Sequence, residues 1–192
     1  WHQHLPESLR NYTITEDMLK DNAADILDEA AEHFQNSPAF TVVLPVGIHH
    51  TLTFKEINQC ADAFAQYLQH HLNLKKGDVV GIQVPNSLHY PIVTFACWKI
   101  GAIITNINPL YTPRELEYQL SDSGAKTLII SDLFIPTLEK VLQTHPKHQS
   151  LNIVTTSFSD FFEDPFNHLI ASKSLEDAEA QGRSLKPSIP FM

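Results

Sequence analysis

Apolar residues near the start of the chain have helical spacing, and short apolar runs follow further on. From Asn22 an apolar residue recurs every three or four positions, which predicts an amphipathic helix that ends before Pro38. Residues 39–46 and 50–54 are strand-like and lie on either side of Gly47, so they predict a β-hairpin.

A second helix is predicted directly after this hairpin. Thr53 and Glu56 have the spacing of a capping box, in which each side chain bonds to the backbone amide of the other residue. The residues that follow place one apolar face on a helix, formed by Ile57, Ala61, Phe64, Ala65 and Leu68. A turn at residues 75–78 is expected to end this part of the chain.

From residue 79 the chain repeats a short apolar strand followed by a helix. Strand starts recur about every 23 to 25 residues, a spacing typical of βαβ units. The predicted strands lie near residues 79–84, 102–107, 126–131 and 151–155. The predicted helices lie near residues 88–100, 113–123 and 133–143. We therefore predict an α/β fold with a mainly parallel sheet and flanking helices.

Composition divides the chain into three segments. Residues 1–21 lack periodicity and predict an N-terminal arm, whereas residues 22–156 carry the α/β subdomain. Residues 157–192 are acidic and predict a partly flexible connection. This last segment also contains Phe158, Phe161, Phe162 and Phe166. Because acidic rather than basic residues surround these rings, packing against protein is favoured over contact with lipid.

A marked strand-to-helix corner lies at residues 106–120. Pro109 ends the strand, because proline cannot donate to a β-ladder. Thr112 is then the predicted N-cap, Pro113 the first helical residue and Glu115 the capping-box partner. These backbone requirements alone are enough to explain the corner.

The loop within this corner is nevertheless the best candidate for ligand contact. Loops that follow the carboxyl ends of parallel strands form the ligand crevice of open α/β sheets. The candidate residues are Asn108, Pro109, Leu110 and Tyr111.

Charge and composition exclude several functions. The chain has 22 acidic and 13 basic residues, and its formal charge of -9 repels nucleic acids and anionic lipid headgroups. It has no apolar run of 18 or more residues and no secretory signal pattern, so no membrane-spanning helix is predicted. Cys60 and Cys97 lack metal-like spacing, which predicts reduced, buried thiols in a cytoplasmic protein.

The 11 histidines raise the hypothesis of a metal site. His145 and His148 are the best-spaced pair, but Pro146 lies between them and disrupts a helical ligand face. No Cys, Asp or Glu completes a four-ligand set nearby, so we predict solvated surface histidines and no metal. His89 and Asp132 have no triad partner that the sequence identifies, and nucleophilic catalysis is not predicted.

Three stretches together resemble a known enzyme family. Residues 52–57 (LTFKEI), residues 98–102 (WKIGA) and the corner at residues 106–120 are similar to motifs of the AMP-forming acyl-CoA synthetases, which belong to the adenylate-forming superfamily. Residues 85–87 (PNS) and the corner are most similar to the long-chain fatty acid–CoA ligases. The resemblance covers roughly residues 22–155 and implies the N-terminal subdomain of the adenylate-forming fold.

The resemblance also implies an activity for the parent enzyme. Such an enzyme uses ATP and Mg²⁺ to convert a fatty acid to an acyl-adenylate and then passes the acyl group to CoA. It further implies that Asn108, Pro109, Leu110 and Tyr111 lie near the path of CoA. The family's phosphate loop is rich in glycine, whereas the six glycines here, at positions 47, 77, 81, 101, 124 and 182, do not cluster. We therefore expect a fragment that is inactive alone and binds none of these cofactors.

The resemblance implies a fatty acid substrate and the remaining domains of the same enzyme as partners. Peripheral association with the inner face of the membrane and a homodimer are further expectations. Two alternatives stay open. One is another adenylate-forming enzyme, such as a short-chain or aryl acid ligase, a luciferase-like oxygenase or an amino acid adenylation domain. The other is a freestanding α/β interaction module.

Overall fold

A computed structural model describes residues 2–10, 12–16, 19–20, 22–44 and 47–162. The helices are α1 (Glu7–Arg10), α2 (Ala24–Phe34), α3 (Phe54–His70), α4 (His89–Lys99), α5 (Pro113–Ser123) and α6 (Ile135–Thr144). The strands are β1 (Pro38–Val43), β2 (His49–Thr53), β3 (Val79–Gln83), β4 (Ile103–Asn106), β5 (Thr127–Ser131) and β6 (Asn152–Thr156). Every strand and helix predicted within residues 22–156 is present, with bounds shifted by at most a few residues.

The strands form two separate sheets. β1 and β2 pair antiparallel as the predicted hairpin. The other four strands form a parallel sheet with the order β4-β3-β5-β6. The predicted α/β architecture with a mainly parallel sheet is therefore confirmed.

Helices cover both faces of the parallel sheet. The larger core lies on the face covered by α3 and α4, with α2 packed against both helices, and it receives Val80, Ile82 and Ile129 from the sheet. The smaller core lies on the opposite face, where α5 and α6 pack over Leu128 and Ile130. Consecutive residues of β5 thus face opposite cores, as strand geometry requires.

Local signals set the helix ends, and the capping box predicted at Thr53 is present. The Thr53 hydroxyl accepts from the Glu56 amide at 3.3 Å, and the Glu56 carboxylate accepts from the Thr53 amide at 2.8 Å. The backbone and side-chain hydrogen bonds from Thr53 lower the pKa of Glu56. Gly124 follows α5 with a φ of 64°, in the left-handed conformation that ends a helix at low steric cost.

A lysine links α2, α3 and α4, the three helices of the larger core, through two ion pairs. The Lys99 ammonium at the end of α4 bonds to Asp28 of α2 and to Asp62 of α3. Burial of Lys99 would lower its pKa, but the hydrogen bonds to these two carboxylates outweigh burial and raise it. Side-chain charge pairing therefore supports the apolar contact between these helices.

The prediction that the histidines are solvated is wrong for two of them. His89 at the start of α4 is 1% exposed, and His148 in the turn before β6 is also buried. His148 lies 3.3 Å from the Ser121 hydroxyl and 3.6 Å from the Glu117 carboxylate, both on α5. Both histidines have polar partners that are distant in sequence, and sequence spacing could not reveal them.

The predicted packing of the phenylalanines is confirmed for two of the four. Phe162 is buried, and Phe161 packs against the larger core. Phe166 lies outside the described residues, as does the predicted connection from residue 163 onward. Cys97 is buried and Cys60 is half-buried, both as free thiols, and burial raises the pKa of Cys97 to about 12.

Candidate functional site

The candidate loop lies at the carboxyl edge of the parallel sheet, between the end of β4 and the start of α5. In the strand order β4-β3-β5-β6, the connection after β3 runs to one side of the sheet and the connection after β5 runs to the other. The topological switch point therefore lies between β3 and β5. Ligand crevices of open α/β sheets form at such a switch point. The candidate loop follows β4, which lies next to β3, so it is one strand away from this switch point.

Asn108 organises this loop through hydrogen bonds to the backbone. Its side-chain oxygen accepts from the Leu110 amide at 3.0 Å, and its carbonyl accepts from the Tyr111 amide at 3.1 Å. The Gln83 side chain donates to the same carbonyl at 3.4 Å from the end of β3. Asparagine is suited to this position because its side chain mimics a backbone turn.

The four candidate residues differ in exposure, and this decides which of them a ligand could contact. The Leu110 side chain is 83% exposed, although it is apolar. Tyr111 is half-buried and packs against the smaller core. Pro109 is also half-buried, whereas Asn108 is exposed. The loop thus presents Leu110 to solvent on a backbone held by Asn108 and Tyr111.

The capping box after the loop occupies the start of α5. The Glu115 carboxylate accepts from the Thr112 hydroxyl at 2.7 Å and from the Thr112 amide at 2.8 Å. The side-chain and backbone hydrogen bonds from Thr112 lower the pKa of Glu115, so its carboxylate is charged. A helix start normally attracts anions, but this built-in carboxylate opposes a second negative group there.

A cleft of about 800 Å³ lies between α5 and β4. Its lining residues are Thr105, Tyr111, Thr112, Arg114, Glu115, Tyr118, Gln119, Asp122 and Ser123. Gln119 bridges the two elements, because its amide donates to the Thr105 hydroxyl and to the Asn106 carbonyl, both at 2.9 Å. Tyr111 is the candidate residue that the structure places in this cleft.

Two supporting residues were missed by the sequence analysis. Gln83 is fully buried and holds Asn108, whereas Gln119 fastens α5 to the edge strand. A polar residue at the end of the apolar run VVGIQV was the available signal for Gln83. Gln119 had no comparable signal, because a polar residue on an exposed helix face is common.

The residues that the structure describes contain neither a metal-ligand cluster nor a membrane-spanning helix. No group of three or more His, Cys, Asp and Glu side chains is arranged there to hold a metal ion. Within the same residues, no helix combines the length and apolar character needed to cross a membrane.

Comparison with known proteins decides the family. The family model described as AMP-binding enzyme matches residues 27–188. The chain belongs to the AMP-binding enzyme family. The resemblance that the three sequence stretches carry is thus confirmed, and the corner at residues 106–120 is part of an AMP-binding enzyme.

Relatives of this AMP-binding enzyme include ligases of long-chain fatty acids. A long-chain-fatty-acid–CoA ligase of Salmonella typhimurium is 42% identical over 136 residues, which cover 71% of this chain and 23% of the relative. The matched region therefore spans about a quarter of that relative's length.

Solved structures agree on the fold. A long-chain-fatty-acid–CoA ligase from Archaeoglobus fulgidus matches 72% of this chain and 29% of its own, with a TM-score of 0.60 and 28% identity. An anthranilate CoA ligase in complex with anthranoyl-AMP matches 74% of this chain and 26% of its own, with a TM-score of 0.63 and 29% identity. In both comparisons the matched region is less than a third of the larger CoA ligase.

Proposed function

We propose that this chain forms the N-terminal part of an ATP-dependent long-chain fatty acid–CoA ligase. The observation that carries the proposal is the 42% identity to the Salmonella typhimurium ligase over 71% of this chain. In the proposed reaction the carboxylate of a fatty acid attacks the α-phosphate of ATP and releases pyrophosphate. The thiol of CoA then attacks the acyl carbonyl and releases AMP.

The described residues supply a scaffold for this reaction rather than its reactive groups. The parallel sheet and its two helical layers hold the loop at residues 108–111 at the carboxyl edge. The phosphate loop expected of the family is rich in glycine, and no cluster of glycines occurs in the sequence. We therefore propose that ATP and Mg²⁺ are held by other segments of the enzyme, and that this chain alone does not form acyl-adenylate.

The loop at residues 108–111 contributes a wall of the CoA path in this proposal. The exposed Leu110 side chain and the Tyr111 ring that lines the cleft offer apolar contacts for the pantetheine arm of CoA. The carboxylate of Glu115 disfavours the CoA phosphates at the start of α5. The nucleotide end of CoA is therefore expected away from this helix start.

Substitution of Tyr111 in a longer gene product that contains this chain tests the CoA path. Tyr111→Ala removes the ring that lines the cleft and should raise the KM for CoA, with the KM for ATP unchanged. Tyr111→Phe is the matched control, because it keeps the ring and should keep the KM for CoA. An unchanged KM for CoA in the alanine variant would show that the corner is purely structural.

An aryl acid ligase is the second candidate function. The anthranilate CoA ligase resembles this chain about as closely as the fatty acid ligase does, in both TM-score and identity. ATP–pyrophosphate exchange distinguishes the two, because exchange occurs with the acid that the enzyme adenylates. Exchange that depends on palmitate favours the first candidate, and exchange that depends on anthranilate favours the second.

The partners and location of the enzyme remain predictions. They comprise the fatty acid, the remaining domains of the same enzyme, a homodimer and a cytoplasmic location with peripheral membrane association.

A further inference from the structure

Residues 157–162 form a short turn that follows β6 and packs against the start of α4. The Ser157 amide donates to the Asp160 carboxylate at 3.0 Å, and the Asp160 amide donates to the Ser157 carbonyl at 3.1 Å. The Phe162 amide donates to the Ser159 carbonyl at 3.0 Å. These hydrogen bonds are all local, so the turn can keep its shape when it moves relative to the sheet. We call residues 157–162 the strap.

A buried histidine joins the strap to α4. The Nε2 atom of His89 lies 2.9 Å from Oδ2 of Asp160, which is 71 residues away in sequence. A carboxylate can only accept, so Nε2 carries a proton and donates to it. The Nδ1 atom lies 3.4 Å from the Ser87 hydroxyl oxygen, within hydrogen-bond distance. Ser87, His89 and Asp160 thus form a chain of hydrogen bonds, which we call the latch.

Aromatic contacts accompany the latch. The Phe161 ring lies 4.6 Å from the His89 ring and 6.3 Å from the His50 ring of β2, measured between centroids. The Phe162 ring lies 6.2 Å from His50. The strap therefore has an apolar side that faces α4 and β2, and the hydrogen bond between His89 and Asp160 lies on that side.

Polar residues are buried at the adjoining carboxyl ends of the strands. Ser131 ends β5 and is 1% exposed, and Thr156 ends β6 and is 2% exposed. The two residues are register partners in the sheet. Their neighbours Ile129 and Val154, two positions earlier in each strand, face the larger core, so Ser131 and Thr156 lie on the same face as α4.

We propose that the strap is a latched cover over the polar carboxyl edge of the sheet, and that release of His89 from Asp160 lifts it. Carboxyl ends of parallel strands are where ligands enter open α/β folds, so a movable cover there controls access. Units that few long-range contacts hold to the rest of a protein unfold locally at a lower free-energy cost than the whole protein. The latch is one such long-range contact, because it connects elements 71 residues apart, and Phe161 and Phe162 add ring contacts to His89 and His50. The proposal concerns this chain alone and does not depend on the ligase activity.

Native-state amide hydrogen exchange on the 192-residue chain tests the latch. His89→Leu removes the hydrogen bonds of the ring to Asp160 and Ser87 and should speed exchange at the amides of Ser157, Asp160 and Phe162 about tenfold or more. Amides of β3 and β5 should keep their rates. His89→Gln offers an amide donor to Asp160 and should restore much of the protection, and His70→Leu is the control because His70 is exposed at the end of α3.

Thiol labelling tests the cover. In a Ser131→Cys background, release of the latch by Asp160→Ala should increase the labelling rate of the new cysteine about tenfold. The native Cys97, buried in the larger core, is the internal reference and should stay unlabelled with and without Asp160→Ala.

Two results would overturn the proposal. Equal acceleration at all amides in His89→Leu would show that His89 supports the whole core rather than the strap. An unchanged labelling rate at residue 131 after Asp160→Ala would show that the strap does not cover this edge.

Discussion

Gly81 lies in the middle of β3, where two neighbouring side chains leave little room for a Cβ atom. It is in register with Thr105 of β4 and with Leu128 of β5. An added Cβ would lie 2.9 Å from the Cδ1 atom of Ile107 and 3.2 Å from the Cδ1 atom of Leu128. Ile107 is the buried first residue after β4, directly before the candidate loop. Gly81→Ala must therefore shift the end of the Ile107 side chain, which lies next to the base of that loop.

The free-energy cost follows from two opposing terms. Overpacking of a core by one methyl group costs about 1 to 3 kcal/mol, and the smaller unfolded-state entropy of alanine offsets about 0.4 to 1 kcal/mol. We expect a net loss of up to about 2.5 kcal/mol in the free energy of unfolding. Ile107→Val removes the Cδ1 methyl and costs about 0.5 to 1.5 kcal/mol by itself. Because that methyl is the one displaced, the double variant should recover about 1 kcal/mol relative to the sum of the two changes.

Urea unfolding followed by far-UV circular dichroism measures these free energies. Gly77→Ala is the matched control, because nothing lies within 4 Å of its Cβ position and its cost comes from a φ of +88°. That variant should be destabilised without any coupling to Ile107→Val. If Gly81→Ala and Ile107→Val are additive, the steric argument for the sheet is refuted.

Three further predictions concern single groups. Thr112→Ala removes the cap of α5, which should lower the free energy of unfolding by about 1 kcal/mol in a urea titration, and NMR should show the pKa of Glu115 rising towards its usual value. The hydrogen bond from Lys147 holds the pKa of Glu117 at about 2, below its usual 4.5, so the stability that it adds is fully present above pH 4.5 and is lost as the pH falls towards 2. Urea unfolding between pH 6 and pH 2 should show this loss, and Lys147→Met should reduce it. Burial raises the pKa of Cys97 to about 12, so a thiol reagent at pH 8 should label Cys97 only after urea unfolds the chain.

Local features of the fold were predictable from the sequence. The capping boxes at Thr53 and Thr112 depend on residues three positions apart, and Gly124 ends α5 through its own backbone conformation. The alternation of strand and helix indicated a parallel sheet, because parallel strands need a crossover between them. The strand order β4-β3-β5-β6 could not be derived, since it depends on which helix covers which face.

The polar contacts of the site were only partly predictable. Asn108 and the loop after it were identified, because turn chemistry is local. The contact between Gln83 and Asn108 joins two strands, and the contact between His89 and Asp160 spans 71 residues. Buried polar residues find partners through the tertiary fold, and a single sequence does not contain that pairing. Sequence alone therefore indicated surface positions for His89 and His148, which the structure corrects.

The most direct test of the account is ATP–pyrophosphate exchange with palmitate, run in parallel on this chain and on a longer gene product that contains it. Exchange in the longer product, and none in this chain, is the result predicted for the N-terminal part of a long-chain fatty acid–CoA ligase. Exchange by this chain alone would contradict its proposed role as a scaffold. Absence of exchange in both proteins, with palmitate and with anthranilate, would contradict the ligase function itself.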